Sequence, residues 1–454
     1  MALILLIQSR VYALFQNLAV LALLAIVLPF NLCKVLPGWV WLGFSQRFEP
    51  QEDPKPTKNL LISGAKMTKS LQLARLFQSR GHQVYLLEEE KYWMSGNQFS
   101  NVVAGFYTVP NPKKNWNKYC KHLLEIIQTK NIDIFIPVSS AVGSYDESRL
   151  KAILSPYCEV FHFDPEITEL LDNKFTFIEK AKILGLSVPK SFLITNFQQI
   201  LDFDFAQDGS QYILKSIPYD SVRRLDMTKL PMKSEQEMEA FVKKMPISKD
   251  KSWIMQEFIR GKEYCTHSTV RNGKIRLHCC CESSEFQVNY HHVEEPKIYQ
   301  WVETFVKGLN LTGQISFDFI KTEDGQVYPL ECNPRTHSAI TTFHNHPGVA
   351  DAYLKDAEDE TKSPIFPLPD SKATYWTYHE LWRLTGIRSF GQFKAWMKRI
   401  TEGTDGIFQW DDPLPFLMVH HWQIPVLLLQ NLKKMKGWVR IDFNIGKLIE
   451  LDWD

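Results

Sequence analysis

The chain has 454 residues, enough for about three domains at roughly 150 residues each. Its 44% hydrophobic and 13% aromatic content can bury a large core and excludes a disordered protein. Fifty-two Lys and Arg nearly cancel 51 Asp and Glu, so no field calls for nucleic acid. The eight cysteines, at 33, 120, 158, 265, 279, 280, 281 and 332, show no CxxC pair and are too sparse for a disulfide scaffold. They point to a reducing, intracellular compartment.

At the N-terminus, Val11 to Cys33 carries no charge and Leu18 to Phe30 is almost wholly apolar. Such a run just crosses a hydrocarbon core of about 30 Å. Arg10 precedes it; Lys34, Arg47, Lys55 and Lys58 follow, with Trp39 and Trp41 suited to a membrane interface. No small-residue cleavage site follows. Residues 1–48 are therefore expected to anchor the chain, holding the rest at the cytoplasmic face of a membrane. Gln16 and Asn17 leave an interfacial helix open, and a helix buried in the globular part is the plain alternative. A single candidate span excludes a transporter. Pro413 to Leu432 is apolar but contains His420, His421, Gln423 and Pro425, which suits a core or interfacial segment.

Ser45 to Thr57 reads as a linker. An α/β alternation follows, with strands expected at 59–63, 83–87, 132–138 and 159–163. The first strand runs into Gly64-Ala-Lys-Met-Thr-Lys69, where doubly wound sheets bind ligands. One glycine there gives no dinucleotide fingerprint. Lys66 and Lys69 could attract an anion, though two lysines in a turn are commonly just solvated. Residues 164–186 read as one helix opened by Asp164-Pro165. Strands are expected at 188–194, 212–215 and 253–259, a helix at 234–244, a hairpin at Arg271-Asn-Gly-Lys274 and a helix at 297–308.

Ile315-Ser-Phe-Asp-Phe-Ile320 and Val327-Tyr-Pro-Leu-Glu-Cys-Asn333 both alternate as strands around Asp324-Gly325. A two-residue turn there places Asp318 opposite Glu331, with Asn333 on the same face. Two carboxylates so opposed repel. Mg²⁺ (or Mn²⁺) resolves the conflict, since it takes oxygen ligands and leaves room for substrate phosphates. Arg335 then offers a cation where a phosphate would need one. Lys215 shares a strand face with Ile213 and Ile217, which is costly without an anion, and Lys174 sits in an apolar helical pattern. Trp253 to Ile259 leads to Glu263, a strand end able to meet a purine edge and a carboxylate able to accept from ribose. His267 on a strand reads first as a core group, and Cys279-Cys280-Cys281 as a buried strand.

Together these residues resemble the ATP-grasp superfamily over about Lys58 to Leu354. The resemblance implies two α+β subdomains clasping ATP, preceded by a Rossmann-like domain. It assigns Lys174, Lys215, Glu257, Phe258, Ile259 and Glu263 to ATP, Asp318, Glu331 and Asn333 to magnesium, and Arg335, Lys215 and Arg224 to catalysis. The chain then divides into 1–48, 49–163, 164–355 (lid about 187–260) and a Trp-rich extension at 356–454, which holds seven of the 13 Trp. The lid loop, Ser216 to Arg224, departs from the pattern because it has no glycine. Either Ser216, Ser221, Arg223 and Arg224 donate in place of backbone groups, or phosphate handling is altered.

More narrowly, Ile62 to Lys69, Tyr219 to Arg224, Cys265 to Arg271 and Glu331 to Ile340 are similar to the family of cyanobacterial mycosporine-glycine synthases. That similarity implies phosphorylation of 4-deoxygadusol, a vinylogous acid, and its joining to the amine of glycine, with ADP released. Lys66, Arg223, Arg224, His267, His337 and Ser338 become candidates for substrate contact, and a homodimer is compatible. Another carboxylate–amine ligase and a non-catalytic membrane-bound scaffold are the alternatives.

Overall fold

The computed structural model describes residues 2–45, 57–138, 141–218, 223, 226–283, 289–354 and 363–449. Nearly all of the expected linker falls outside them, as do Tyr219 to Val222 and Arg224 of the lid loop. The chain forms two compact units. The first comprises 1–162, 284–292 and 335–454; the second comprises 163–283 and 293–334.

In the first unit, β1 (Asn59–Ile62), β2 (Gln83–Glu89), β3 (Val103–Val109), β4 (Ile134–Ile136) and β5 (Glu159–Val160) make a parallel sheet ordered β3-β2-β1-β4-β5. β4 and, from Leu60 onward, β1 are fully buried, as expected of strands covered on both faces. β3 and the helix Trp116–Thr129 escape the sequence reading, because β3 is an edge strand with little alternation in burial. The order reverses beside β1, so its carboxyl end at Ser63 and Gly64 lies at a topological switch point. Gly64 adopts φ +68°, the left-handed region open to glycine, and its carbonyl accepts from the Met67 amide at the head of the helix Thr68–Gln78.

The C-terminal region packs within the same unit. Pro413–Leu432 forms Leu414–Met418, a π-helical turn Val419–Gln423 and Ile424–Lys434. Pro425 follows the π-helical turn directly, at the point where the α-helical ladder is already interrupted. This is the core segment that the sequence allows: Val419, Ile424 and Leu428 are fully buried. The tryptophans divide, with Trp376 buried and Trp382 and Trp410 exposed.

The second unit holds two sheets. β6 (Ser191–Ile194), β7 (Tyr212–Ser216), β8 (Lys229–Leu230) and β9 (Trp253–Glu257) form the order β6-β9-β7-β8. β10 (Lys262–Arg271) and β11 (Lys274–Glu282) join two later strands; β12 (Asn289–Tyr290) returns to the first unit. The later strands are β13 (Gly313–Lys321) and β14 (Val327–Asn333), and the sheet runs β11-β10-β13-β14. The turn at Asn272 (φ +48°) and Gly273 (φ +70°) forms as expected, pairing Arg271 with Lys274.

Strand alternation sorts this sheet into two faces. Phe317, Phe319, Cys280 and Cys332 face an aromatic core where Phe177, Trp301 and Phe305 pack at 5.3–6.1 Å between rings. The other face receives the opposite residues.

The expected 164–186 helix is two helices, Pro165–Asp172 and Lys174–Ile183. Asn173 leaves the helical region (ψ 112°), and its side chain accepts from the amides of Phe175 and Thr176. An asparagine free to bond its own downstream backbone competes with helix continuation, and here it caps a new one.

Candidate active site

The hairpin between β13 and β14 decides the geometry. Asp318 pairs directly with Glu331, and Ser316 with Asn333, the register that the sequence predicts. The route differs. Thr322 donates to the Gln326 carbonyl around a three-residue loop with Gly325 at φ +79°, not a two-residue turn. That loop alone offsets the ladder by one, pairing Phe319 with Pro329. A bulge at Leu330 then restores the register. Pro329 has no amide to give the ladder, which makes this the natural place for the extra residue.

On the face opposite the aromatic core, cross-strand pairing assembles the acids with β10 and β11. Cys265 lies across from Asp318 and from Cys281, and His267 across from Cys279. Glu263, two residues before Cys265, continues this face and is exposed. His267 is fully buried, on the side of the two acids and not in the aromatic core. The Cys265 thiol is held well above its ordinary value, by burial first and then by Asp318. The triple cysteine is the buried strand expected, with Cys280 turned into the core.

Two lysines meet Glu331. Lys174, first residue of its helix, brings Nζ to 3.7 Å from Glu331 Oε2. A cation in a first helical turn opposes the macrodipole, so this position is explained by the carboxylate it faces. Lys215 on β7 donates from Nζ to Gln256 Oε1 at 2.9 Å. Burial lowers its pKa from the ordinary lysine value; the nearby Glu331 resists that shift and Lys174 adds to it. For Glu331, removal from water raises the pKa, but Lys174 and Lys215 outweigh it and hold the carboxyl at about 2. Asn333 Nδ2 donates to Glu331 Oε1 at 3.4 Å.

Sequence reasoning passed over Gln256. It is buried, accepts from Lys215, and its Nε2 has no partner among the described residues. Its position beside Glu257 on an otherwise apolar strand was the signal. The strand end expected to meet a purine edge is partly committed. Glu257 Oε2 accepts from the Lys190 amide at 3.1 Å, and the Phe258 amide donates to the Gln211 carbonyl at 2.7 Å. Lys229 Nζ lies 3.9 Å from the Phe258 ring centroid. Ile259 follows, half-buried, just beyond the end of β9.

Asp318, Glu331 and Asn333 present carboxylate and amide oxygens, a donor set that fits Mg²⁺ or Mn²⁺. Among the described residues no three His, Cys, Asp or Glu side chains form a cage of their own, so an ion here depends on amide, water and phosphate oxygens.

The remaining candidates lie in the first unit or the lid. Arg335, His337 and Ser338 belong to the first unit. The reading of Lys66 and Lys69 as solvated turn residues is corrected. Lys69 is buried and donates to the Thr336 carbonyl at 2.6 Å; burial and then the Arg335 guanidinium push its pKa well below the usual value. Lys66 bonds Glu88 at 2.9 Å and lies over the Tyr92 ring. Asn444 Nδ2 donates to Ser338 Oγ at 2.8 Å, and Tyr290 packs edge-on to His337. Arg223 is described without its neighbours; Arg224 and Ser221 lie outside the described residues.

Residues 171–339 match the family model of the ATP-grasp domain. A tyramine–L-glutamate ligase of Methanocaldococcus jannaschii is 29% identical over 121 residues, 24% of this chain and 38% of that protein. The chain thus spans well under half the length of that curated relative. Among solved structures, the biotin carboxylase domain of a single-chain bacterial carboxylase superposes with a TM-score of 0.50 at 13% identity, covering 68% of this chain and 71% of that one. An ADP complex of N5-carboxyaminoimidazole ribonucleotide synthetase gives 0.48 at 17% identity, covering 65% and 75%. The first of these two likenesses concerns the fold alone.

Proposed function

We propose that the protein is an ADP-forming carbon–nitrogen ligase that activates an acidic oxygen with ATP and joins it to an amine. The observation that carries this reading is Asp318 set against Glu331 with Lys174 and Lys215 converging on Glu331. Two carboxylates and two ammonium groups gathered around one hairpin suit phosphoryl transfer, which depends on positioning and on neutralising oxygens. Lys174 and Lys215 would hold phosphate oxygens, and Glu257, Phe258, Ile259 and Glu263 the nucleoside. Asp318, Glu331 and Asn333 would hold Mg²⁺, which when bound neutralises phosphate charge. Arg335 and Arg224 would steady the transferring group.

For the substrates, the four similar stretches favour 4-deoxygadusol and glycine. Its enolic oxygen would take the γ-phosphoryl group, the glycine nitrogen would add to that carbon, and phosphate would leave with the C–O electron pair. Lys66, Arg223, His267, His337 and Ser338 are the proposed contacts. The match to tyramine–L-glutamate ligase favours a second reading, an ATP-dependent ligase of an amino-acid carboxylate. Incubation with ATP, magnesium, glycine and 4-deoxygadusol separates the two: a new ultraviolet chromophore with stoichiometric ADP supports the first. ADP release only with an amino acid and a simple amine supports the second. No ADP with any acceptor removes the ligase reading.

We also propose membrane attachment through Arg10–Val40, a helical stretch that contains 18 residues apolar enough to cross a bilayer (mean hydropathy 2.3).

A further inference from the structure

Attachment by this segment has two geometries, crossing the bilayer or lying in its surface, and the packing of the helix separates them. The helix Ala2–Ser45 presents a buried stripe at Ala13, Asn17, Leu24, Asn31 and Val35, spaced to fall on one side. Near its start, Gln16 Nε2 donates to the Trp438 carbonyl at 2.8 Å and Asn17 Nδ2 to the Lys436 carbonyl at 3.0 Å. Trp438 Nε1 returns a bond to Asn17 Oδ1. Nearer its end, Asn31 Nδ2 lies 2.6 Å from Tyr378 Oη, and Lys34 Nζ sits over Phe408 and Phe416 at 4.4 and 4.2 Å. At Gly38 an added Cβ would stand 2.7 Å from the Trp410 carbonyl.

From Ala13 to Gly38 is about 38 Å at 1.5 Å per residue, more than the hydrocarbon core of about 30 Å. A crossing helix would carry Gln16 and Gly38 to opposite leaflets. Both ends are instead held by one folded unit, the first through loop carbonyls that lipid could not satisfy and the second through a tyrosine hydroxyl and aromatic rings. The opposite side of the helix is apolar and open: Tyr12, Phe15, Leu23, Ile26, Phe30 and Val40 are each more than half exposed. Exposed Arg10, Lys433, Lys434 and Lys436 accompany the first contact, and exposed Trp410 the second. Basic groups beside an apolar face complement anionic headgroups, and tryptophan favours the interface.

We propose that this face lies in the plane of an anionic leaflet, making the protein monotopic. The inference rests on the attachment reading above and adds its geometry. The test uses the full chain with Cys33→Ser, carrying an environment-sensitive fluorophore at Phe15→Cys or at Val40→Cys, added to sealed phosphatidylglycerol–phosphatidylcholine vesicles. An impermeant quencher outside is expected to extinguish both probes, and flotation should weaken with salt. The variant Phe15→Asp, Ile26→Asp, Phe30→Asp should keep its circular dichroism yet float more than about ten-fold less. Quenching at only one position would overturn the in-plane geometry and leave attachment standing as a span. No flotation of the parent chain would overturn attachment itself, and a vesicle-independent dimer lost in the triple variant would give the face to a second copy.

Discussion

Glu331 is the residue on which the proposed chemistry turns. Its carboxyl, held at about 2, stays ionised across the working range, so the acid limb of the activity profile is set by other groups. Glu331→Gln keeps the shape and removes the charge; the expected outcome is a fall of about 10²–10³ in turnover with an unchanged circular dichroism spectrum. Normal ADP release by that variant would remove Glu331 from the site. Lys215 behaves oppositely. Its pKa lies below the ordinary lysine value, so it loses its charge earlier as pH rises than a free lysine would. Activity is therefore expected to decline on the alkaline side, and Lys215→Arg, where active, should carry that limb upward because guanidinium does not deprotonate there. A pH profile of kcat for both proteins checks the shift. Lys215 was legible in the sequence as a cation on an apolar face; Gln256 could be noticed as a polar residue on an apolar strand, but an amide there gives no sign that its partner is Lys215.

At the scale of elements, the break at Asn173 sets where Lys174 starts its helix. Asn173→Ala removes the side-chain acceptor of two amides and is expected to cost about 1 kcal/mol, with a higher KM for ATP as Lys174 loses its place. Chemical denaturation and steady-state kinetics read the two effects separately. An unchanged KM would mean that the cap serves stability alone. The hairpin teaches a related lesson. Asp318 against Glu331 was readable from alternation and Asp324-Gly325, yet the turn has three residues and Leu330 bulges out. The right pairing results from two local departures that cancel. Pattern reading counts residues between faces and does not see which amide the proline withholds.

For the whole molecule, the first unit joins segments far apart in the chain. Arg75 Nε donates to Asp412 Oδ2 at 2.8 Å, and Asp412 also accepts from Ser100 Oγ and the Asn101 amide; Arg75, Ser100 and Asp412 are buried. Asp412→Ala leaves a buried guanidinium without its carboxylate and is expected to cost about 3–5 kcal/mol. A denaturant midpoint within experimental error of the parent would overturn that role.

The sequence by itself determined the alternation of strands and helices, the two opposed acids, the pair of lysines and the apolar N-terminal run. Each is a matter of periodicity or local turn chemistry, which neighbouring residues impose. Only the tertiary structure decided that Lys69 is buried, that His267 and Cys265 share the face of Asp318, and that the N-terminal helix is held at both ends by C-terminal segments. Those facts depend on contacts between residues up to 422 positions apart, for which the chain carries no local signal.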